Sequence, residues 1–298
     1  MPPRNPDPTI APSLCIACGR TPRAAGRLPG GAALLQCPRC RLAWWPWPAF
    51  DPAALYDRDY FQCPAAAKGY ADYASLEPGL RRTARARLRR VERLIGADAA
   101  PLPPPRILEI GCGVGVFLDE ARRRGWEAAG LEVSAYAAEE ARRRGLDVQC
   151  AAIEDARLEH GRYDCVALWD VIEHLRDPRA ALARAADALR TGGVLALSTG
   201  DVTSLCARLS GPRWHLFNLP EHLFFFSPAA LRQMLAAAGC RVHRMTREVY
   251  WAPLSYLSER ACKTLGGAPA ARPAGGWVRG WLAPATLLDV LGVYAVRG

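Results

Sequence analysis

Between residues 106 and 198 short apolar runs alternate with amphipathic stretches. Ile107, Leu108 and Ile110 form the first run, too short for a helix and too apolar for a loop. The same reading places strands at 106–110, 127–131, 147–150, 164–169, 194–198, 240–248 and 291–297. Two near-copies, Glu120-Ala-Arg-Arg-Arg-Gly125 and Glu140-Ala-Arg-Arg-Arg-Gly145, recur twenty residues apart. Each reads as a helix end, with basic residues facing the negative pole of the helix dipole and a glycine stop. Each is followed by a short apolar strand. This alternation predicts an α/β fold with a parallel, doubly wound sheet. Upstream, Leu80, Ala84, Leu88, Val91 and Ile95 recur at helical spacing. Downstream, 251–265 and 276–291 are rich in Trp, Leu and Ala. They are expected as helices over the substrate side, or as a surface laid against a membrane.

Half of the 298 residues are hydrophobic, enough for one full α/β core and a small appendage. Residues 1–12 carry five prolines and no apolar core of a signal peptide. The longest apolar stretch, 280–296, is interrupted by Pro284 and Asp289 and is marginal as a membrane span. A cytoplasmic protein without a transmembrane segment is the expectation. The chain divides at composition shifts into 1–50, a tail with a cysteine-rich module, and 51–100, a helical lid or arm. After the proline run at 101–105, the α/β domain takes 101–298, with substrate-covering insertions at 203–228 and 250–285. The net charge of +10 is concentrated: Arg81 to Arg93 holds seven arginines against one acid, Glu92. This stretch reads as a helix with a solvated basic face, the alternative being a surface for phosphorylated substrate or RNA.

Cys15-x-x-Cys18 and Cys37-x-x-Cys40 lie eighteen residues apart, each pair beside a turn-forming Gly or Pro. That spacing matches a four-thiolate zinc ribbon, and a segment this short needs a metal to fold. Disulfides or a redox pair are the other readings. They fit poorly with seven further scattered cysteines and no export signal. Trp44, Trp45, Trp47 and Phe50, interleaved with Pro46 and Pro48, are expected to pack the ribbon against the main domain or to stack on substrate.

The richest stretch runs from Arg106 to Gly115. Gly111, Gly113 and Gly115 follow the first strand at once, and Val116 opens a helix. Glycine-rich first turns serve many nucleotide-binding folds. Here Glu109 places a carboxylate just ahead of the turn, which repels pyrophosphate and attracts a cationic ligand.

Glu109-Ile-Gly-Cys-Gly-Val-Gly resembles the first motif of class I S-adenosylmethionine-dependent methyltransferases. Leu131-Glu132-Val133-Ser134, Ala152-Ile153-Glu154-Asp155, the run Tyr163 to Leu175 and the run Leu189 to Leu195 resemble the motifs that follow it, in order. The resemblance implies a seven-stranded Rossmann-like sheet whose last strand is antiparallel, with S-adenosylmethionine as cofactor. It implies Glu109, Gly111, Cys112 and Gly113 around the methionine moiety, and Glu132 with Val133 at the ribose. It places Ile153 and Glu154 beside adenine and Asp170 beside the amino-acid part. Tyr60, Phe61, Tyr70 and Tyr73 fall where related small-molecule enzymes carry an aromatic lid, and π faces suit a sulfonium.

Asp170, Glu173 and His174 stand at i, i+3 and i+4, so on a helical turn they would share a face. Similar clusters occur in metal-assisted quinone O-methyltransferases. Glu221-His222 with Phe226-Ser227 resembles a segment of zinc-ribbon deoxysugar C-methyltransferases, although Pro220 departs from that pattern. His222, His174 and His215 are the candidate bases, in that order. The expected activity is methyl transfer to a small or carrier-linked metabolite, at oxygen of a sugar or quinone-like compound. Two alternatives stay open: an RNA base methyltransferase, against which no Asn/Asp-Pro-Pro-Tyr run stands in the fourth motif, and a non-catalytic binding protein on a degenerate fold.

Overall fold

The computed structural model describes residues 11–28, 30–47, 74–96, 103–254 and 281–298. The proposed aromatic lid residues, Phe50 and the stretch 255–280 lie outside them.

All seven strands read from the apolar pattern form one sheet: β4 (Arg106–Ile110), β5 (Glu127–Glu132), β6 (Asp147–Cys150), β7 (Tyr163–Trp169), β8 (Leu189–Gly200), β10 (Cys240–Arg247) and β13 (Val290–Arg297). Their order is β10-β13-β8-β7-β4-β5-β6, with β13 antiparallel to both neighbours and the rest of the ladder parallel. The strand number and the antiparallel last strand are those the resemblance implies. Alternate residues of each strand face opposite layers. Ile107, Cys165, Ala167 and Val194 meet α1 (Glu77–Ile95), α2 (Val116–Arg123) and α3 (Ala135–Arg143) on one side. Leu108, Val166, Leu195 and Leu197 meet α4 (Pro178–Ala188), the short α5 (Leu205–Ser210) and α6 (Pro228–Ala237) in the core on the other. Ser134, Asp177 and Ser227 cap α3, α4 and α6 by accepting a backbone N–H in the first turn.

Six strands were not drawn from the pattern because each is short or irregular. β1 (Arg23–Arg27), β2 (Ala33–Gln36) and β3 (Ala43–Trp44) form the cysteine module, and β9 (Phe224–Phe225) joins them. β11 (Tyr250–Pro253) pairs with β12 (Leu282–Ala285), so the described ends of the segments expected as helices are a strand pair instead. Pro253 and Pro284 disfavour helix there, and pairing satisfies the backbone.

The arginine-rich helix is not a free basic face. Ala84, Leu88 and Val91 bury its apolar stripe, and four of its arginines meet acids. Arg81 reaches Asp119 at 2.7 Å, Arg85 reaches Glu120 at 2.7 Å, and Arg87 and Arg90 share Glu248 at 3.0 Å each. Arg82 lies 3.4 Å over the Trp251 ring. Among the described residues no helix is long and apolar enough to cross a membrane.

Candidate active site

The site gathers at the carboxyl ends of β4, β5 and β7, where open α/β sheets bind ligands. Gly111 leaves β4 at φ +71°, and a Cβ there would stand 2.6 Å from Val171 Cγ2. Only glycine fits so close an approach in that conformation. Gly111 and Cys112 donate their N–H groups to Leu131 O at 2.8 and 3.0 Å, tying the loop to β5. Glu132 closes the cradle: its carboxylate accepts the Gly113 N–H and the Ser134 N–H, each at 2.8 Å. Burial raises its pKa, and the backbone donors oppose that shift. Two of a carboxylate's roughly four acceptor positions remain for a ligand diol. Glu109 is buried beneath the loop, its carboxyl raised well above the ordinary range by burial. One of its oxygens has no hydrogen-bond partner among the described residues.

Asp170 turns out of β7 at φ +56°. Its N–H meets Ser198 Oγ at 3.0 Å, and its carboxylate accepts Ser198 Oγ–H at 2.8 Å and Tyr250 O–H at 2.7 Å. Arg87 stands 3.6 Å from the other oxygen, with its guanidinium 4.2 Å over the Trp169 ring. The sequence pattern does not reveal this set of buried Arg87, Ser198 and Glu248 with half-buried Tyr250. Its one signal was a charge, Arg87, inside an apolar stripe of Ala84, Leu88 and Val91.

Across from it, His174 and His222 pack edge to face with ring centroids 4.7 Å apart. His222 Nδ1 lies 2.7 Å from Leu216 O, and His174 Nδ1 lies 2.9 Å from Glu221 O. A carbonyl oxygen requires a donor, so both rings carry the proton on Nδ1, and His222 keeps its lone pair on Nε2. Burial pushes His222 down to about 4, and burial together with His222 pushes His174 down to about 3. Both are neutral imidazoles at physiological pH. Glu173, buried beside them, is raised to about 8 by burial and by the Asp170 charge.

A sequence model of the family described as "Methyltransferase domain" matches residues 80–244. The chain belongs to the S-adenosylmethionine-dependent methyltransferases. A ubiquinone biosynthesis O-methyltransferase of Aeromonas salmonicida is 31% identical over 163 residues, covering 50% of this chain and 68% of that protein. Its counterpart in Thiobacillus denitrificans is 27% identical over 164 residues, covering 51% and 71%. Magnesium protoporphyrin IX methyltransferase of Synechocystis, solved with S-adenosylhomocysteine, shares the fold: TM-score 0.52, 17% identity, covering 83% of this chain and all of that one.

The cradle of this methyltransferase suits its cofactor, because a buried acid with an unmatched oxygen is what a cationic amino-acid tail requires. The residues expected around that tail stand together: Glu109, Gly111, Gly113 and Asp170 line the same sheet edge as Glu132. Cys112 packs inward, since a Cβ on Gly130 of β5 would stand 2.8 Å from its sulfur. Val133 and Glu154 lie exposed at the rim and Ile153 is buried. Arg184 of α4 pins that turn through Ile153 O at 2.8 Å. Of the candidate bases, His215 is separate: it meets Asp289 at 2.8 Å, where Trp214 Nε1 also donates. The clustered ligand-type atoms are those of Glu173, His174 and His222, all within 4.8 Å, and not the Asp170-Glu173-His174 set of the helical reading. The left-handed turn at Asp170 precedes a single 3-10 turn at Ile172–His174, so i, i+3 and i+4 do not share a face.

In the module, Cys15 and Cys40 sulfurs stand 3.4 Å apart, Cys18 and Cys37 3.4 Å, and Cys18 and Cys40 4.0 Å. Four thiolates around zinc lie roughly 3.8 Å apart, and a disulfide closes to about 2 Å. The cluster therefore has the dimensions of a metal site.

Proposed function

We propose that this methyltransferase acts on a hydroxyl oxygen of a small or carrier-linked acceptor, phenol- or quinol-like in the first instance, with His222 as the base. The pairing of His222 and His174 beside Asp170 carries the reading. It gives the site a neutral imidazole whose Nδ1 is engaged by Leu216 O, so that Nε2 is the nitrogen left to accept a proton. The relatives named ubiquinone biosynthesis O-methyltransferases support the acceptor class, and the acids that pair four of the helix's seven arginines leave less charge for RNA phosphates.

S-adenosylmethionine, when bound, supplies a methyl group already activated by its sulfonium. The protein then positions. Glu109, Glu132 and Asp170 orient the cofactor, and His222 Nε2 accepts the acceptor's O–H. Held near 4, His222 is a weak base for a free hydroxyl. It becomes competent as the new C–O bond makes that proton strongly acidic, so transfer is concerted with bond formation. The low value also keeps the imidazole neutral in mild acid, so the acid limb of the rate profile should fall near pH 4 and not near 6.5.

We also propose structural zinc on Cys15, Cys18, Cys37 and Cys40, measured as one equivalent by metal analysis of the full chain. The function is tested by offering labelled cofactor with catechols, hydroquinones, nucleotide sugars and RNA. Label on the hydroxyl compounds, lost by at least about 100-fold in His222→Ala, is expected. Label on RNA alone, or an unaffected variant, sinks the reading.

A further inference from the structure

The cysteine module and the acceptor side are built into one another. Strand β3 pairs with β9, Ala43 against Phe225 and Trp44 against Phe224. Ser227 Oγ donates to the carbonyl of Cys40, one of the four thiol residues. Between these contacts and the histidine pair stands Trp45, 9% exposed, whose Nε1–H donates to the backbone carbonyl of His222 at 3.0 Å. The amide on the other side of His222 donates to Asn218 O at 2.8 Å. The next residue, Leu223, gives its N–H to Glu173 O at 2.8 Å. The His222 peptide is thus clamped from both sides. The module holds one side and the turn after β7 holds the other.

We propose that Trp45 is a positioning residue for the acceptor base, and that metal in the cysteine module exerts its effect on methyl transfer through this indole. The proposal rests on His222 facing the acceptor. A carbonyl's orientation fixes the peptide plane, and the plane fixes the direction of Cβ. Loss of the indole donor lets the His222 peptide rotate, and the imidazole loses its hold on Leu216 O. The Nδ1–H tautomer, and with it the bare Nε2, is then no longer enforced. Cofactor affinity is expected to be kept, because the groups that would orient the cofactor have hydrogen-bond partners of their own: Glu132 holds the Gly113 and Ser134 amides, and Asp170 holds Ser198 and Tyr250.

The test uses the full chain and needs no acceptor. Trp45→Phe keeps an aromatic ring and removes the donor. Expected are unchanged metal content, S-adenosylhomocysteine affinity within about twofold, and amide exchange at 218–223 faster by on the order of tenfold, the worth of one buried hydrogen bond. The His222 ¹⁵N resonances should move from a single Nδ1–H tautomer to a mixture, which a purely structural role for Trp45 would not produce. Chelation of the metal from the wild-type chain should reproduce both changes, again with the cofactor affinity retained. Unchanged exchange and an unchanged His222 tautomer in Trp45→Phe overturn the proposal. So does faster exchange spread equally over β4 and β5. A chain that carries no metal refutes the zinc arm alone, and the Trp45→Phe result stands apart from it. Transfer unaffected in His222→Ala, with the tautomer shift present, refutes the base and leaves the positioning intact.

Discussion

The two halves of the site are assembled differently. On the cofactor side, Glu109, the glycine loop and Glu132 come from two adjacent strands within 24 residues of chain, and short backbone hydrogen bonds hold them. On the acceptor side, His174 and His222 stand 48 residues apart in sequence, and Trp45 donates to His222 across 177. Local geometry makes the first half. The second exists only when distant segments dock.

Substitutions can break or sharpen that contrast. The largest effect belongs to the joint between the halves. Arg87→Met leaves the buried Glu248 with Arg90 alone and takes away the cation beside Asp170, and the chain should lose about 3 kcal/mol in denaturant unfolding. A loss under 1 kcal/mol would mean that Glu248 finds other partners. Next, Glu132→Ala frees the Gly113 and Ser134 amides and removes the acceptor of the ligand diol. Calorimetry should show S-adenosylhomocysteine binding weakened about 100-fold, with exchange at 218–223 unchanged. Affinity kept within threefold would contradict the cradle.

The smallest effect is a gain. Glu173 is lifted to about 8, first by burial and then by Asp170. From its ordinary range up to that value the folded chain holds a proton that the unfolded chain has released, so stability falls as pH rises through this window. Glu173→Gln removes the penalty and should raise the melting temperature by roughly 2–4 °C at pH 8, and by less at pH 5. The histidines act in the opposite direction. Their folded values of about 4 and about 3 lie below the ordinary 6.5, so the unfolded chain binds protons first and stability drops as pH falls below that value. Replacing His174 by Gln should flatten this acid-side decline. An unchanged decline would place the proton uptake elsewhere.

The alternation of apolar runs determined the seven strands and the cofactor loop, because strand burial and tight-turn sterics depend on residues close in sequence. The spacing of two cysteine pairs likewise foretold the cluster of four sulfurs. Tertiary structure decided how the candidate bases read from the sequence are grouped. It set Asp170 apart from Glu173 and His174 through a left-handed turn, and supplied His222 in its place. It also placed Arg87 beside Asp170 and paired four of the basic helix's arginines with acids. Those outcomes depend on which distant acid, carbonyl or indole each group meets, and no periodicity along the chain encodes such meetings.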